Sequence, residues 1–339
     1  MPVTARTLVL VARPVGKPQQ SDFRLEMATL PDPASGEVLL QTLYLSLDPY
    51  MRGRMSDAPS YAAPTTIGEP PPSEVVARVL QSGDPGFLPG DIVVVHDFWR
   101  DHAIRKATAL RKLNPDLAPI QTALGVMGMP GLTAYGGLKH IGKVKPGETV
   151  VVGAASGAVG GLVGQIARLS GARAVGVAGG AEKCAYVKGE LGFDACIDRN
   201  DPDMAAQLKA ACPDGVDVYF ELTGGAIFNA ALPLLNPFGR VPVCGTIAGY
   251  NATDLPPGPD RSPLLMRSIL TRSLTFRGFI VSEFAADADE FHRKMAHWLA
   301  SGAVKYREDV TDGLDNMVAT FIGMLEGKNF GKTLIKLSD

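Results

Sequence analysis

Small residues are concentrated in one short segment that could bind a phosphate group. Val150-Val-Val-Gly-Ala-Ala-Ser-Gly-Ala-Val-Gly160 joins an apolar run to a turn and then to a helical pattern. A helix entered through such a turn offers free N–H groups and its positive dipole end to a pyrophosphate. Ala155 replaces the first glycine of the G-x-G-x-x-G pattern. The alternative is a turn that serves only helix packing. The residues predicted to contact a dinucleotide are Ala155, Ser156, Gly157, Ala158, Val159 and Gly160.

The segment after the next predicted strand indicates which dinucleotide would bind. An NAD-binding fold carries Asp or Glu about 20 residues beyond the glycines, where it holds the ribose 2′-hydroxyl. Here the strand ends in Ala178-Gly-Gly-Ala-Glu-Lys183, which places Gly179 in that region. Lys183 and Arg199, which follow the second and third strands, could supply positive charge to a 2′-phosphate. The pattern favours NADP(H); the alternatives are Glu182 in the acidic role, or Lys and Arg as solvated surface charges.

The positions of cysteine and histidine speak against a catalytic zinc ion. All four cysteines lie beyond residue 183 and form no C-x-x-C pair, so residues 1–125 offer no thiolate ligand. His96 and His102, each beside an aspartate, form the one candidate cluster, and it lacks a third soft ligand. We therefore predict no metal site. Without a metal to polarise an alcohol, alcohol oxidation lacks its usual electrophile.

Two patterns divide the chain and supply the elements that would position these residues. Residues 1–125 contain short β-type runs separated by Gly and Pro, which is typical of a β-rich, barrel-like domain. From residue 126, strands alternate with helices, which predicts a parallel sheet with helices on both faces. The predicted strands are Arg173–Ala178, Ala195–Asp198, Val216–Phe220, Arg240–Cys244, Leu274–Phe279 and Phe330–Leu337; the predicted helices are Gly160–Ser170, Glu182–Leu191, Ile227–Leu235 and Ala288–Ala300.

Composition and charge limit the classes of function. The 339 residues suit two domains of about 100–200 residues each, and an apolar fraction of 46% is enough for two cores. Lys and Arg number 33 against 35 Asp and Glu, which gives a net charge of −2. The composition therefore shows no excess of positive charge for binding nucleic acid or an anionic membrane. Neither a signal-peptide pattern nor an apolar run of about 20 residues occurs. We expect a cytoplasmic protein with reduced cysteines.

Several longer motifs resemble those of one enzyme family. They are Leu47-Asp-Pro-Tyr-Met-Arg-Gly-Arg-Met55, Gly128-Met-Pro-Gly-Leu-Thr-Ala-Tyr135 and Phe321-Ile-Gly-Met-Leu-Glu-Gly-Lys-Asn-Phe-Gly-Lys332. These motifs are similar to those of the zinc-independent medium-chain dehydrogenases/reductases. Within that family they resemble the leukotriene hydroxydehydrogenase/prostaglandin reductase branch, which includes alkenal/one and curcumin-type double-bond reductases. The resemblance covers essentially the whole chain.

The resemblance implies both a fold and an activity. The fold is α/β, with a GroES-like β-barrel catalytic domain of residues 1–127 and 300–339. A doubly wound parallel-sheet (Rossmann) domain of residues 128–299 would bind NADP(H). The implied protein is a homodimer, and its implied activity is reduction of the carbon–carbon double bond of an α,β-unsaturated ketone or aldehyde.

Residue roles carry over at matching positions. Lys183 would contact the 2′-phosphate, and Asn329 would contact the cofactor from the C-terminal segment. Thr223 is also predicted to bind the cofactor. Arg199 stands where many members have tyrosine, which should preserve or strengthen phosphate binding. Leu222 stands where the branch has asparagine, so one polar contact near the cofactor is in question.

The implied reaction is a 1,4-reduction in which a hydride passes from the nicotinamide C4 to the β-carbon of the substrate. Negative charge then develops on the carbonyl oxygen, where positioned donors give the greatest electrostatic help. Tyr250, which the resemblance places near the nicotinamide and the substrate, and Tyr50 are the predicted donors. The α-carbon takes its proton from tyrosine or water. For Tyr50, a packing role beside Pro49 is an equal alternative.

Two other functions remain open from the sequence. One is an NADPH quinone oxidoreductase of the same superfamily, and the other is a non-catalytic NADPH-binding protein of the same fold. The proline-containing segments Ala58–Pro72 and Asn251–Leu265 are expected to shape the substrate pocket. The physiological substrate does not follow from these residues.

Overall fold

Residues 2–255 and 258–338 are described by the computed structural model, and they fall into two units. The discontinuous unit contains the residues up to Leu124 and those from Glu308 onward; the central unit contains residues 125–307. The domain boundaries predicted from the sequence, after residue 127 and before residue 300, remain predictions; the two units divide after Leu124 and before Glu308. The chain beyond residue 300 stays with the central unit because Val304 is part of its core. Lys305 also exchanges two main-chain hydrogen bonds with the Gln165 side chain.

The first part of the discontinuous unit is built from short strands. These are β1 (Val3–Leu10), β2 (Phe23–Leu30), β3 (Glu37–Ser46), β4 (Pro72–Ser82), β5 (Ile92–Phe98), β6 (His102–Lys106) and β7 (Arg111–Lys112), with helix α1 (Tyr50–Arg54) after β3. In β4, Val75, Ala77 and Val79 lie in the main core of the unit, whereas Val76 lies in a smaller cluster. This alternation is the period of two that a strand imposes on its side chains.

The central unit alternates helices and strands. The elements are α2 (Met129–Gly136), β8 (Thr149–Val152), α3 (Gly160–Leu169), β9 (Arg173–Ala178), α4 (Ala181–Gly189), β10 (Ala195–Asp198), α5 (Met204–Ala211), β11 (Val216–Phe220), α6 (Gly225–Ala231), β12 (Leu235–Val243), α7 (Ser262–Arg272), β13 (Thr275–Gly278) and α8 (Ala288–Ala300). The strands are parallel and lie in the order β10-β9-β8-β11-β12-β13. This is the strand order of a Rossmann sheet, so the predicted doubly wound domain is confirmed.

Helices cover both faces of this sheet, and β8 shows why its sequence is continuously apolar. Val150 and Val152 pack into a cluster with residues of α2, α3 and α8. Val151, which points to the other face, packs into a cluster with residues of α5, α6 and α7. A strand buried on both faces needs an unbroken apolar run.

The end of the chain returns to the discontinuous unit. It forms β14 (Glu308–Asp312), α9 (Met317–Leu325) and β15 (Lys332–Lys336). The sheet order is β14-β15-β3-β4-β5-β7, and β6 also pairs with β3. β15 is antiparallel to β3, with Leu334 opposite Ser46. The predicted closing strand and GroES-like domain are thus confirmed. None of the helices in residues 2–255 and 258–338 is long and apolar enough to cross a membrane.

Candidate functional site

Parallel strands bring most of the predicted binding residues to one edge of the central sheet. At their carboxyl ends, β8 leads into the glycine-rich turn, β9 into Gly179, β10 into Arg199 and β11 into the segment with Thr223. β12 leads into the segment that ends at Tyr250. β8 lies between β9 and β11, where the strand order reverses, and open α/β sheets bind their ligands at this point.

The last position of the glycine-rich turn, Gly160, has no room for a larger residue. Ala154 is left-handed, with φ of 48°, and its carbonyl accepts a 2.8 Å hydrogen bond from the Gly157 N–H. A Cβ on Gly160 would lie 2.8 Å from the carbonyl carbon of Ala154 and would overlap its oxygen. Gly160 therefore lets the turn close directly onto the first residue of α3. The free N–H groups at this helix start fit a pyrophosphate.

Ala155, the departure from the glycine pattern, is accommodated by the next strand. Its side chain is fully buried, and its N–H donates to the Val177 carbonyl oxygen of β9 at 3.1 Å. A Cβ on Gly176 would lie 2.6 Å from the Ala155 methyl group. A glycine on β9 thus provides the space that the methyl group in the turn occupies.

Arg199 and Gly179 lie in direct contact at the ends of two neighbouring strands. A Cβ on Gly179 would lie 2.9 Å from the Arg199 Nε, so a larger residue there would require the arginine side chain to shift. Arg199 is exposed, and Lys183 is half-buried in the first turn of α4. The site has a cation where an NAD-binding fold has a carboxylate, and this fits the 2′-phosphate of NADP(H).

The carboxylate of Asp198, next to Arg199 in the chain, accepts hydrogen bonds from backbone N–H groups. Its Oδ1 accepts hydrogen bonds from the N–H of Asn200 at 2.9 Å and of Gly180 at 2.8 Å. These two bonds hold the pKa of Asp198 below its ordinary value. The interaction fixes the loop between β9 and α4 on the end of β10.

The segment after β11 lies directly against the glycine-rich turn. A Cβ on Gly153 would lie 2.6 Å from the Thr223 Oγ1, so the buried Thr223 side chain touches the start of the turn. Leu222 packs against the apolar cluster shared by α2, α3 and α8. Glu221, a buried carboxylate that holds this segment, was not among the residues predicted from the sequence. A charged residue directly after an apolar strand was the available signal.

Tyr250 lies at the end of the segment that follows β12. Its hydroxyl oxygen accepts a 3.4 Å hydrogen bond from the Thr246 N–H, and its side chain is half-buried. This segment is joined to the one after β11 by the Ala248 N–H, which donates to the Thr223 carbonyl oxygen at 3.0 Å. Within the predicted pocket stretch Asn251–Leu265, residues 256 and 257 lie outside the described residues.

Tyr50 belongs to the discontinuous unit, where it begins α1 and packs against the core. Burial, and then the nearby charges of Asp48 and Glu74, raise the pKa of the Tyr50 phenol well above its ordinary value. Asp48 itself is buried and forms a 2.7 Å ion pair with the buried Lys332 of β15. The Lys332 ammonium also donates to the Leu47 carbonyl oxygen at 2.8 Å.

Asn329 precedes β15 in the same unit, and its Nδ2 donates to the Gly331 carbonyl oxygen at 2.9 Å. Asn329 lies three residues before Lys332, and Tyr50 lies two residues after Asp48. The buried ion pair therefore anchors both segments that carry predicted site residues of this unit. The remaining predicted residues belong to the central unit.

The two histidines considered as metal ligands lie on β5 and β6 of the discontinuous unit. His102 Nδ1 lies 3.0 Å from Asp101 Oδ1, and His96 is an exposed residue of β5. In the part of the chain that the structure describes, no group of three or more His, Cys, Asp or Glu side chains is placed to hold a metal ion.

Comparisons with known proteins find relatives along nearly the whole chain. One family model, described as the N-terminal domain of oxidoreductase, matches residues 6–113, and another, described as zinc-binding dehydrogenase, matches residues 158–301. The chain is 50% identical to the NADPH-dependent curcumin reductase of Escherichia coli (strain K12), over 98% of this chain and 97% of that protein. It is 42% identical to prostaglandin reductase 1 of Bos taurus, over 98% and 99%.

A solved structure is similar over nearly the full length. It is that of CurA from Vibrio vulnificus in complex with NADPH, at 47% identity and a TM-score of 0.95. The match covers 98% of this chain and 99% of that one.

Proposed function

Because the chain belongs to the double-bond reductase branch of the medium-chain dehydrogenases/reductases, we propose that it reduces the carbon–carbon double bond of α,β-unsaturated ketones and aldehydes with NADPH. The observation that carries this proposal is the edge of the central sheet. There a pyrophosphate turn, two cations and a tyrosine follow β8, β9, β10 and β12 of one Rossmann sheet. The 50% identity to a curcumin reductase supports the substrate class.

The residues of the central unit bind and orient the cofactor. Residues 155–160 hold the pyrophosphate, using the N–H groups that the turn itself does not bond, while Lys183 and Arg199 hold the 2′-phosphate. Bound NADPH supplies the hydride for the β-carbon of the substrate. The chain contributes mainly by fixing the relative position of the two reactants.

Tyr250 is the proposed proton and hydrogen-bond donor. Its hydroxyl stabilises the negative charge that develops on the carbonyl oxygen, and tyrosine or water then protonates the α-carbon. The Tyr50 phenol is protonated at neutral pH, as an ordinary tyrosine is, and burial raises its pKa further, so Tyr50 can also act as a hydrogen-bond donor. We propose Asn329 as a further cofactor contact.

The proposed reaction needs no metal ion. The four cysteines, which are the thiolate ligands a zinc site would use, all lie in the central unit. An enone is already activated for hydride addition at its β-carbon, so hydrogen-bond donors at the carbonyl oxygen can replace a Lewis acid.

We also propose a homodimer and a cytoplasmic location. β13 is the last strand of the central sheet, and such an edge is a template for pairing with another chain. The adjacent helix α7 exposes Leu264 and Leu270, and exposed apolar residues of this kind favour a protein contact. The cysteines are free thiols, in keeping with a reducing compartment.

The test of the proposed function is NADPH oxidation with a small substrate panel. We expect turnover with a medium-chain enal and a cyclic enone, and none with the matching saturated ketone. Turnover of a benzoquinone alone would assign the protein to the quinone oxidoreductases. Tight NADPH binding with no turnover of any substrate would show a non-catalytic binding protein.

Replacing Tyr250 by phenylalanine should lower kcat for enone reduction by roughly 10- to 100-fold, because water replaces a positioned donor only in part. The KM for NADPH should change little. Steady-state kinetics with a cyclic enone measures both. Tyr306→Phe, at an exposed tyrosine of the same unit, is the control. Full turnover by Tyr250→Phe would remove Tyr250 from the mechanism.

A further inference from the structure

Glu221 is a buried carboxylate at the sheet edge that binds the cofactor. It is the first residue after β11, and it is 4% exposed. Its Oε1 accepts hydrogen bonds from the Thr223 N–H at 2.7 Å, the Gly224 N–H at 2.8 Å and the Tyr219 hydroxyl at 3.1 Å. Burial of a carboxylate is costly unless several donors compensate it, so these contacts are a specific local arrangement.

The carboxylate gives the following segment one definite backbone shape. Gly224 and Gly225 are both left-handed, with φ of 69° and 60°. Just before them, two successive N–H groups, of Thr223 and Gly224, point toward the same oxygen atom of Glu221. Hydrogen bonds to an ionised acceptor are roughly twice as strong as neutral ones. Glu221 therefore fixes a segment that glycine would otherwise leave free to adopt other conformations.

This segment contacts two parts of the proposed active site. The Thr223 side chain touches Gly153 at the start of the pyrophosphate turn. On its other side, the Thr223 carbonyl oxygen accepts the Ala248 N–H at 3.0 Å, and the Leu222 carbonyl oxygen accepts the Ile247 N–H at 3.2 Å. Those donors belong to the segment that carries Tyr250.

We infer that Glu221 is a positioning residue for cofactor binding and hydride transfer. By holding Thr223 and Gly224, its carboxylate sets the position of the pyrophosphate turn and of the Tyr250 segment relative to each other. The kinetic part of this inference rests on the proposed function, whereas the part that concerns cofactor binding does not.

The test compares three variants of the full chain. Glu221→Ala removes the acceptor, and Glu221→Gln retains a neutral one. Asp217→Ala is the matched control, since Asp217 lies on the same strand and accepts hydrogen bonds from the Thr149 N–H and the Asn236 Nδ2, at 2.8 and 2.9 Å. NADPH fluorescence gives the Kd, and single-turnover NADPH oxidation with a cyclic enone gives the rate of hydride transfer.

We expect Glu221→Ala to raise the Kd for NADPH by about tenfold and to slow hydride transfer by about tenfold or more, because small displacements of the reactants are costly. Glu221→Gln should stay within about threefold of the wild type in both, because a neutral oxygen still accepts the two N–H groups. In the unliganded protein, amide hydrogen exchange at Thr223 and Gly224 should become fast only in Glu221→Ala.

Other outcomes would overturn the inference. Wild-type Kd and hydride-transfer rate in Glu221→Ala would show that the carboxylate positions nothing. Equal losses in Asp217→Ala would show a general effect of stability. If the wild-type protein binds NADPH but reduces no enone, the proposed function fails, and the Kd and exchange measurements still decide the role of Glu221.

Discussion

Replacing Lys183 and Arg199 together by alanine should raise the KM for NADPH by roughly 100-fold or more, while the KM for NADH stays nearly unchanged. Each cation would make a charge-assisted hydrogen bond to the 2′-phosphate, and such bonds contribute about 1.5–3 kcal/mol each. A factor of ten corresponds to about 1.4 kcal/mol. Arg199 is more exposed than Lys183, so the single variant Lys183→Ala should have the larger effect.

The measurement is steady-state kinetics with both cofactors and one enone. Lys188→Ala, at an exposed lysine of the same helix α4, is the control and should leave both KM values unchanged. An equal loss with NADPH and NADH would mean that the substitutions displace the whole site. No change with NADPH would mean that other residues hold the 2′-phosphate.

Replacing Lys332 by methionine should lower the free energy of unfolding of the discontinuous unit by about 3–5 kcal/mol, because it leaves Asp48 as an unpaired buried charge. The two side chains are only 5% and 8% exposed, and their charged atoms are 2.7 Å apart. The Ser46 hydroxyl also donates to Asp48, but a hydroxyl does not neutralise the charge. Replacing both partners, in Asp48→Leu/Lys332→Met, should recover much of the lost stability.

Urea unfolding followed by tryptophan fluorescence measures this effect. The chain has two tryptophans, of which Trp99 is fully buried in the discontinuous unit and Trp298 belongs to the central unit. A Trp298→Phe background therefore reports on the discontinuous unit alone. Lys328→Met, at a 75% exposed lysine, is the control and should cost less than about 1 kcal/mol. The same small cost for Lys332→Met would contradict the prediction.

Local patterns predicted the shape of the glycine-rich turn and the strands of the central sheet, because each depends on residues that are close together in the sequence. Small residues at fixed spacing between a strand and a helix are demanded by the turn itself, as Gly160 shows. Strands such as β8 are buried on both faces, so an apolar run marks them clearly. The roles proposed for Tyr50, Tyr250 and Asn329 came from the resemblance, and they stay predictions.

Other features depend on residues that are far apart in the chain, and local patterns do not reveal them. The ion pair of Asp48 and Lys332 joins residues 284 positions apart. α5 has few fully buried residues, among them Met204 and Leu208, so its helical pattern is weak. No local sequence pattern indicates that Val304 packs on the core of the central unit.

The path of the chain through the two units also has a consequence for synthesis on the ribosome. The central unit is one continuous segment, so it can fold as soon as residue 307 has emerged. The discontinuous unit must wait for β15, which follows Asp48 by 284 residues. At about 5–20 residues per second this delay is on the order of 15–60 s. During that time the discontinuous unit lacks both β15 and Lys332, which neutralises Asp48. The central unit begins later in the chain but is therefore completed first.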